Sequence, residues 1–177
     1  MEGRLGCPVC SASYSVSAGV ADLRDGGAIA LATAEAVASV DLADDAMRVA
    51  AMLGLVKPGF VAVLVGMDAD IAGEVSELSH SRIISLNSRS RQSRERENVA
   101  AVVSGQRFPI AAASVDGVML ERGSEGSAVA EALRVLRTGG RLVADAAVPL
   151  SGRLRELARD DRYVVAESTG PLLTLTR

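Results

Sequence analysis

Few residues of this chain are equipped for chemistry. Both cysteines sit together as Cys7-Pro8-Val9-Cys10. That spacing offers two thiolates, half of the four-ligand shell zinc prefers. Three arrangements are open: two copies of the chain share one ion through Cys7 and Cys10 of each, a protein partner completes the shell, or the pair is a metal-free dithiol. No thioredoxin-like pattern surrounds the pair, which tilts the reading toward a shared zinc. The sole histidine lies in Leu78-Ser79-His80-Ser81-Arg82. It is a base for proton transfer or, as we favour, a solvated loop residue ahead of a strand. The stretch from Ser88 to Glu97 carries Arg89, Arg91, Arg94 and Arg96. Such a cluster can contact nucleic-acid phosphates. Glu95 and Glu97 dilute the charge and no aromatic side chain interleaves for base stacking, so a solvated helix is the favoured reading.

These residues need a scaffold. The chain has 177 residues, which suits one domain with a short appendage. Apolar residues make up 49%, enough to bury a core at this length. With two Phe, two Tyr and no Trp, that core must be built from Ala, Val, Leu and Ile. A net charge of −3 indicates neither a polyanion binder nor an acidic tail. No apolar run reaches the roughly 18 residues of a membrane-spanning helix. Met1-Glu2-Gly3-Arg4 lacks the basic-then-apolar layout of a signal peptide. A soluble cytoplasmic protein is expected.

Residues 1–27 form a small head that holds the CxxC, with Tyr14 and Val16 alternating with serines as in a short strand. Gly26-Gly27 is a plausible hinge into the main domain, 28–177. Residues 28–55 are rich in helix formers. Asp41, Asp44 and Asp45 mark a fresh helix start, and Gly54 followed by Lys57-Pro58-Gly59 marks its end. Phe60 to Val65 is a continuous apolar run, the sign of a strand buried on both faces. Further runs lie at 83–86, 99–103, 115–120, 141–146, 163–165 and 172–175. Helical stretches fall between them near 71–79, 89–97, 126–137 and 151–158. The alternation predicts an α/β fold with a mostly parallel sheet and helices on both faces.

Glu131-Ala132-Leu133-Arg134-Val135-Leu136-Arg137-Thr138-Gly139-Gly140-Arg141 resembles the helix-to-strand passage of class I S-adenosylmethionine-dependent methyltransferases. In that family the segment reads roughly E-x-x-R-V-L-R-P-G-G, and Thr138 here replaces the proline. Upstream, Arg107-Phe108-Pro109-Ile110-Ala111-Ala112-Ala113-Ser114-Val115-Asp116-Gly117-Val118 looks like the family's L-P-F-x-x-x-S-F-D-x-V segment. There, the residues that open the segment lie near the cofactor's adenine, which implicates Phe108. The resemblance covers residues 44–177 and implies a Rossmann-like methyltransferase fold. It makes Asp116 a capping or turn residue. Glu121-Arg122-Gly123 falls where the family often places substrate-handling residues, although an exposed loop is the favoured reading. The head is similar to a shortened zinc-ribbon-like segment of the Trm112-type activator proteins, with one ligand pair missing.

The same comparison shows what the cofactor pocket lacks. The family's first motif is a G-x-G-x-G-like turn whose glycines admit the cofactor. Here it reads Val65-Gly66-Met67-Asp68-Ala69-Asp70, and only Gly66 matches. A Cβ at the other positions fills space or forbids positive φ. The acidic residue that accepts the ribose hydroxyls in the family is replaced by Asn87, which lacks a charge. Gly66, Met67, Asp68, Asp70, Asn87 and Phe108 thus outline a degenerate S-adenosylmethionine pocket. The expectation is a methyltransferase-like pseudoenzyme that does not use the cofactor for catalysis. It would act as a binding or assembly subunit, homodimeric through its CxxC head or docked on a protein partner. The alternative is a divergent but active methyltransferase.

Overall fold

The computed structural model describes residues 2–9, 11–24, 41–88, 96–124 and 126–170. The expected helical stretch 28–40, most of 89–97 and the strand 172–175 lie outside the described residues.

The order of elements is β1 (Gly3–Gly6), β2 (Ser13–Ser17), β3 (Val20–Asp22), α1 (Leu42–Leu53), β4 (Val61–Val65), α2 (Ala69–Ser79) and β5 (Arg82–Leu86). There follow β6 (Val99–Val103), β7 (Val115–Leu120), α3 (Gly126–Val135), β8 (Leu136–Asp145), β9 (Leu154–Arg159) and β10 (Tyr163–Ser168). All ten strands join one sheet in the order β1-β2-β3-β6-β5-β4-β7-β8-β10-β9. The six central strands, β3 to β8, run parallel; the pairs at both ends are antiparallel. The head is thereby continuous with the main sheet: β3 lies parallel to β6, with Val20 opposite Ala101.

The apolar run of β4 reads as it does because both of its faces are covered. Ala62 and Leu64 join one core cluster with Ala46, Val49 and Leu53 of α1 and Ala72 and Val75 of α2. Val63 and Val65 turn the other way, into a cluster with Ala132 and Val135 of α3. Period-two alternation therefore feeds two cores instead of one core and solvent. Small residues permit the close helix-on-sheet approach: Ala46, Ala62, Ala72 and Ala132 are fully buried.

Helix α1 starts at Asp41, whose carboxylate accepts the Asp44 N–H at 3.4 Å, and ends at Gly54 in the left-handed region, φ 67°. The Arg141 guanidinium lies 3.4 Å from the carbonyls of Ala51 and Met52, a cation at the negative end of the helix.

Two boundaries differ from expectation. Residues 151–158 are not helical; 154–159 form the edge strand β9, antiparallel to β10. Arg155, Glu156 and Leu157 are good helix formers, and the ladder to β10 outweighs that local preference. The other difference is at α3, which stops at Val135, two residues short, so that β8 absorbs the glycine pair. Gly140 there packs against backbone: a Cβ would meet the Asp116 carbonyl at 2.9 Å and that of Arg137 at 3.0 Å.

Candidate functional site

The carboxyl ends of β4, β5, β6 and β7 meet along one crest, the place where open α/β sheets bind ligands. Gly66 directly follows β4 with φ +75°, and its N–H donates to the Leu86 carbonyl at 2.9 Å. Glu121 directly follows β7, its N–H bound to the Val65 carbonyl at 3.0 Å. That bond brings its side chain over the turn. A Cβ on residue 66 would stand 2.6 Å from Glu121 Oε2.

Beyond Gly66 the side chains of the turn engage the chain itself. Met67 packs with the cluster beneath α1 and α2. Asp68 is the N-cap of α2, its Oδ1 accepting the Asp70 N–H at 3.1 Å. Asp70 adds a second carboxylate in the first turn. The positive end of the helix, a natural anion site, thus already holds an anion of the chain. Asn87, at the end of β5, has φ 52° and accepts the Ser104 N–H through Oδ1 at 2.8 Å. Gly66, Met67, Asp68, Asp70 and Asn87 are therefore brought together. Phe108 belongs to the α3-side core, 4% exposed.

The segment around Phe108 is held by a pair that sequence reading took only as part of a motif. Glu131 accepts the Phe108 N–H at 2.8 Å and binds Arg134 at 2.7 Å; Arg134 donates to the carbonyls of Phe108 at 2.9 Å and Ile110 at 2.8 Å. The Arg134 hydrogen bond, aided by the Phe108 N–H, holds the Glu131 carboxyl below its ordinary range. The i, i+3 spacing of Glu131 and Arg134 was the available signal.

The other candidates have structural places. His80 is the left-handed C-cap of α2, φ 52°, exposed, with its carbonyl accepting the Gly59 N–H. Asp116 accepts the Val61 N–H at 2.8 Å and pairs with Arg137, which lies over the Phe60 ring. Arg96 binds Glu77 at 2.7 Å and Glu74 at 3.2 Å and covers Gly73. Arg89, Arg91 and Arg94 lie outside the described residues. Cys7 sits at the tip of the β1–β2 hairpin, its N–H donating to the Ala12 carbonyl at 2.8 Å. Cys10 is outside the described residues. Among the described residues no group of three or more His, Cys, Asp and Glu side chains could hold a metal, and no helix is long and apolar enough to cross a membrane.

Clefts lined by described residues include two with polar groups at their walls. One of about 420 Å³ lies beyond Glu121, between Ser124, Val129, Asp145, Val148 and Pro149. Backbone N–H groups, the Ala147 bond first, hold the Asp145 carboxyl below its ordinary range. The other, about 720 Å³, lies between Tyr14 and Leu23 of the head, the 105–112 segment and Arg134.

A mostly parallel Rossmann-like sheet covered on both faces, with a turn at Gly66 on its crest, defines a methyltransferase-like fold. Comparison with solved structures agrees. A candidate S-adenosyl-L-methionine-dependent methyltransferase from Methanococcus maripaludis is similar at TM-score 0.57 and 13% identity, over 76% of this chain and 87% of that one. A S-adenosylmethionine-dependent methyltransferase from Aquifex aeolicus is similar at TM-score 0.51 and 14% identity, over 70% and 88%. A geranyl diphosphate methyltransferase solved with S-adenosylmethionine is similar at TM-score 0.51 and 19% identity, over 58% of this chain and 48% of that one. No family model and no curated protein matches the sequence.

Proposed function

We propose that the chain is a methyltransferase-like protein that does not catalyse methyl transfer and serves as a binding or assembly subunit. The observation that carries this reading is the Glu121 carboxylate seated against Gly66, where the backbone of the family's turn must stay clear for the cofactor. Three further features support it. Asp68 already occupies the amino end of α2. Asp70 adds a second carboxylate in the first turn of α2, a charge of the same sign as a ligand carboxylate. Asn87 Oδ1 is engaged by the Ser104 N–H and brings no negative charge to a ribose. S-adenosylmethionine, with its own carboxylate, fits this set of residues poorly.

The competing reading, an active enzyme with an unorthodox cofactor turn, draws on the left-handed φ that Gly66 retains. Calorimetric titration with S-adenosylmethionine and S-adenosylhomocysteine decides between them. The proposal expects no saturable heat and no shift in Tm at millimolar ligand. Micromolar binding, which stabilises the native state in proportion to the logarithm of ligand excess, overturns it.

A further inference from the structure

The two outer edges of the sheet are built differently. Strand β9 presents Arg155, Glu156 and Arg159, charges that discourage a further strand. Strand β1 reads Gly3-Arg4-Leu5-Gly6, with one charge and every residue exposed. Leu5 is 47% exposed and Val9, at the hairpin tip, 92%. The sheet order leaves the outer side of β1 without a strand among the described residues.

The register fixes which backbone groups look outward. Cys7 donates its N–H inward to Ala12, and β1 pairs with β2 as Leu5 opposite Tyr14 and Gly3 opposite Val16. Inward and outward groups alternate along an antiparallel ladder. Gly3, Leu5 and Cys7 therefore bond toward β2, while Arg4 and Gly6 aim their N–H and C=O groups away from it.

We propose that two copies of the chain associate edge to edge through β1, antiparallel, about a two-fold axis at Leu5. This deepens the reading of the head as an assembly element and rests on it. An outward-facing residue must meet an outward-facing residue, so Arg4 of each copy exchanges two backbone hydrogen bonds with Gly6 of the other. Leu5 then faces Leu5 of the second copy as a non-hydrogen-bonded pair, the closer kind, with Cα atoms about 4.5 Å apart. This register covers the exposed leucine and sets Arg4 opposite a glycine. Of the two neighbouring registers this rule allows, one centred on Arg4 opposes two arginines directly, and one centred on Gly6 sets Arg4 against Pro8, which has no N–H to donate. A second copy also matches the edge in length, since each strand is both template and guest. A four-residue strand on each side is far below the roughly 20–30 residues a side of a standard interface, so the association is expected to be reversible. It also separates the two hairpin tips. Cys7 of one copy is four residues along the ladder from Cys7 of the other, about 13 Å, too far for one ion to bridge at zinc–sulfur distances near 2.3 Å.

Sedimentation velocity of the full chain from about 1 to 500 µM, with and without EDTA, tests the contact. Expected is a concentration-dependent dimer that EDTA leaves intact and that Leu5→Lys weakens at least tenfold, with circular dichroism and Tm unchanged. In a Cys7→Ser, Cys10→Ser background, Leu5→Cys should give an intermolecular disulfide under mild oxidation, because the facing Cα atoms fall within bonding range. A monomer throughout, a dimer indifferent to Leu5→Lys, or one dissolved by EDTA overturns the proposal. Cofactor titration reads the non-catalytic assignment separately, so either can fail alone.

Discussion

Gly66 is held by two constraints that can be separated. Its φ of +75° disfavours any side chain, and the Glu121 carboxylate stands 2.6 Å from where a Cβ would lie. Gly66→Ala should lower stability by about 2 kcal/mol, roughly half from the backbone and half from crowding. In a Glu121→Ala background the same change should cost about 1 kcal/mol, so a double-mutant cycle by urea unfolding reads the crowding directly. Equal costs in both backgrounds would remove Glu121 from the crest. His80 is the converse case, a non-glycine residue at a left-handed C-cap. His80→Gly should raise stability by about 1 kcal/mol in the same assay. A loss of stability would mean that the imidazole holds something the cap geometry does not require.

Among the elements, the 107–111 segment depends on α3 through Glu131 and Arg134. Arg134→Ala removes donors from two carbonyls and leaves Glu131 without its cation, for an expected loss of about 2 kcal/mol. The carboxyl of Glu131 is depressed in the folded state, chiefly by Arg134. Its contribution is thus full above the ordinary glutamate range and fades as pH falls through that range toward the lower folded value. Stability of the wild type should fall more steeply than that of Glu131→Gln on acidification below about pH 4.5; parallel curves would deny the pair its role. The same elements show what a sequence can reveal. The unbroken run at β4 and the aspartates before α1 carry their own physical signatures, burial on two faces and dipole compensation, and both elements lie where they were expected. Strand β9 could not be read, because Leu154-Arg155-Glu156-Leu157 becomes extended only through a ladder with residues 164–168. At the crest, the missing glycines were legible as residue types. The seating of Glu121 over Gly66 was not, since it follows from the pairing of β4 with β7 across more than fifty residues. The burial of Phe108 in the α3-side core was hidden for a similar reason.

At the scale of the molecule, the described residues form a ten-stranded sheet with its six middle strands parallel and a hairpin added at one end. The head covers the outer side of β6, so it shields an apolar parallel strand from solvent and from other chains. Removing residues 1–24 should lower Tm and promote concentration-dependent aggregation, both measurable by light scattering during a thermal ramp. A truncated chain as soluble and as stable as the full one would show that β6 needs no cover. The parallel docking of β3 on β6 also sets a clock. Val20 meets Ala101, a partner made roughly 80 residues later, and ribosomes add about 5–20 residues per second. During synthesis the amino-terminal hairpin therefore waits some 4–16 s for the strand that will receive it. For that interval both sides of the newborn ribbon are open to whatever the cell presents first.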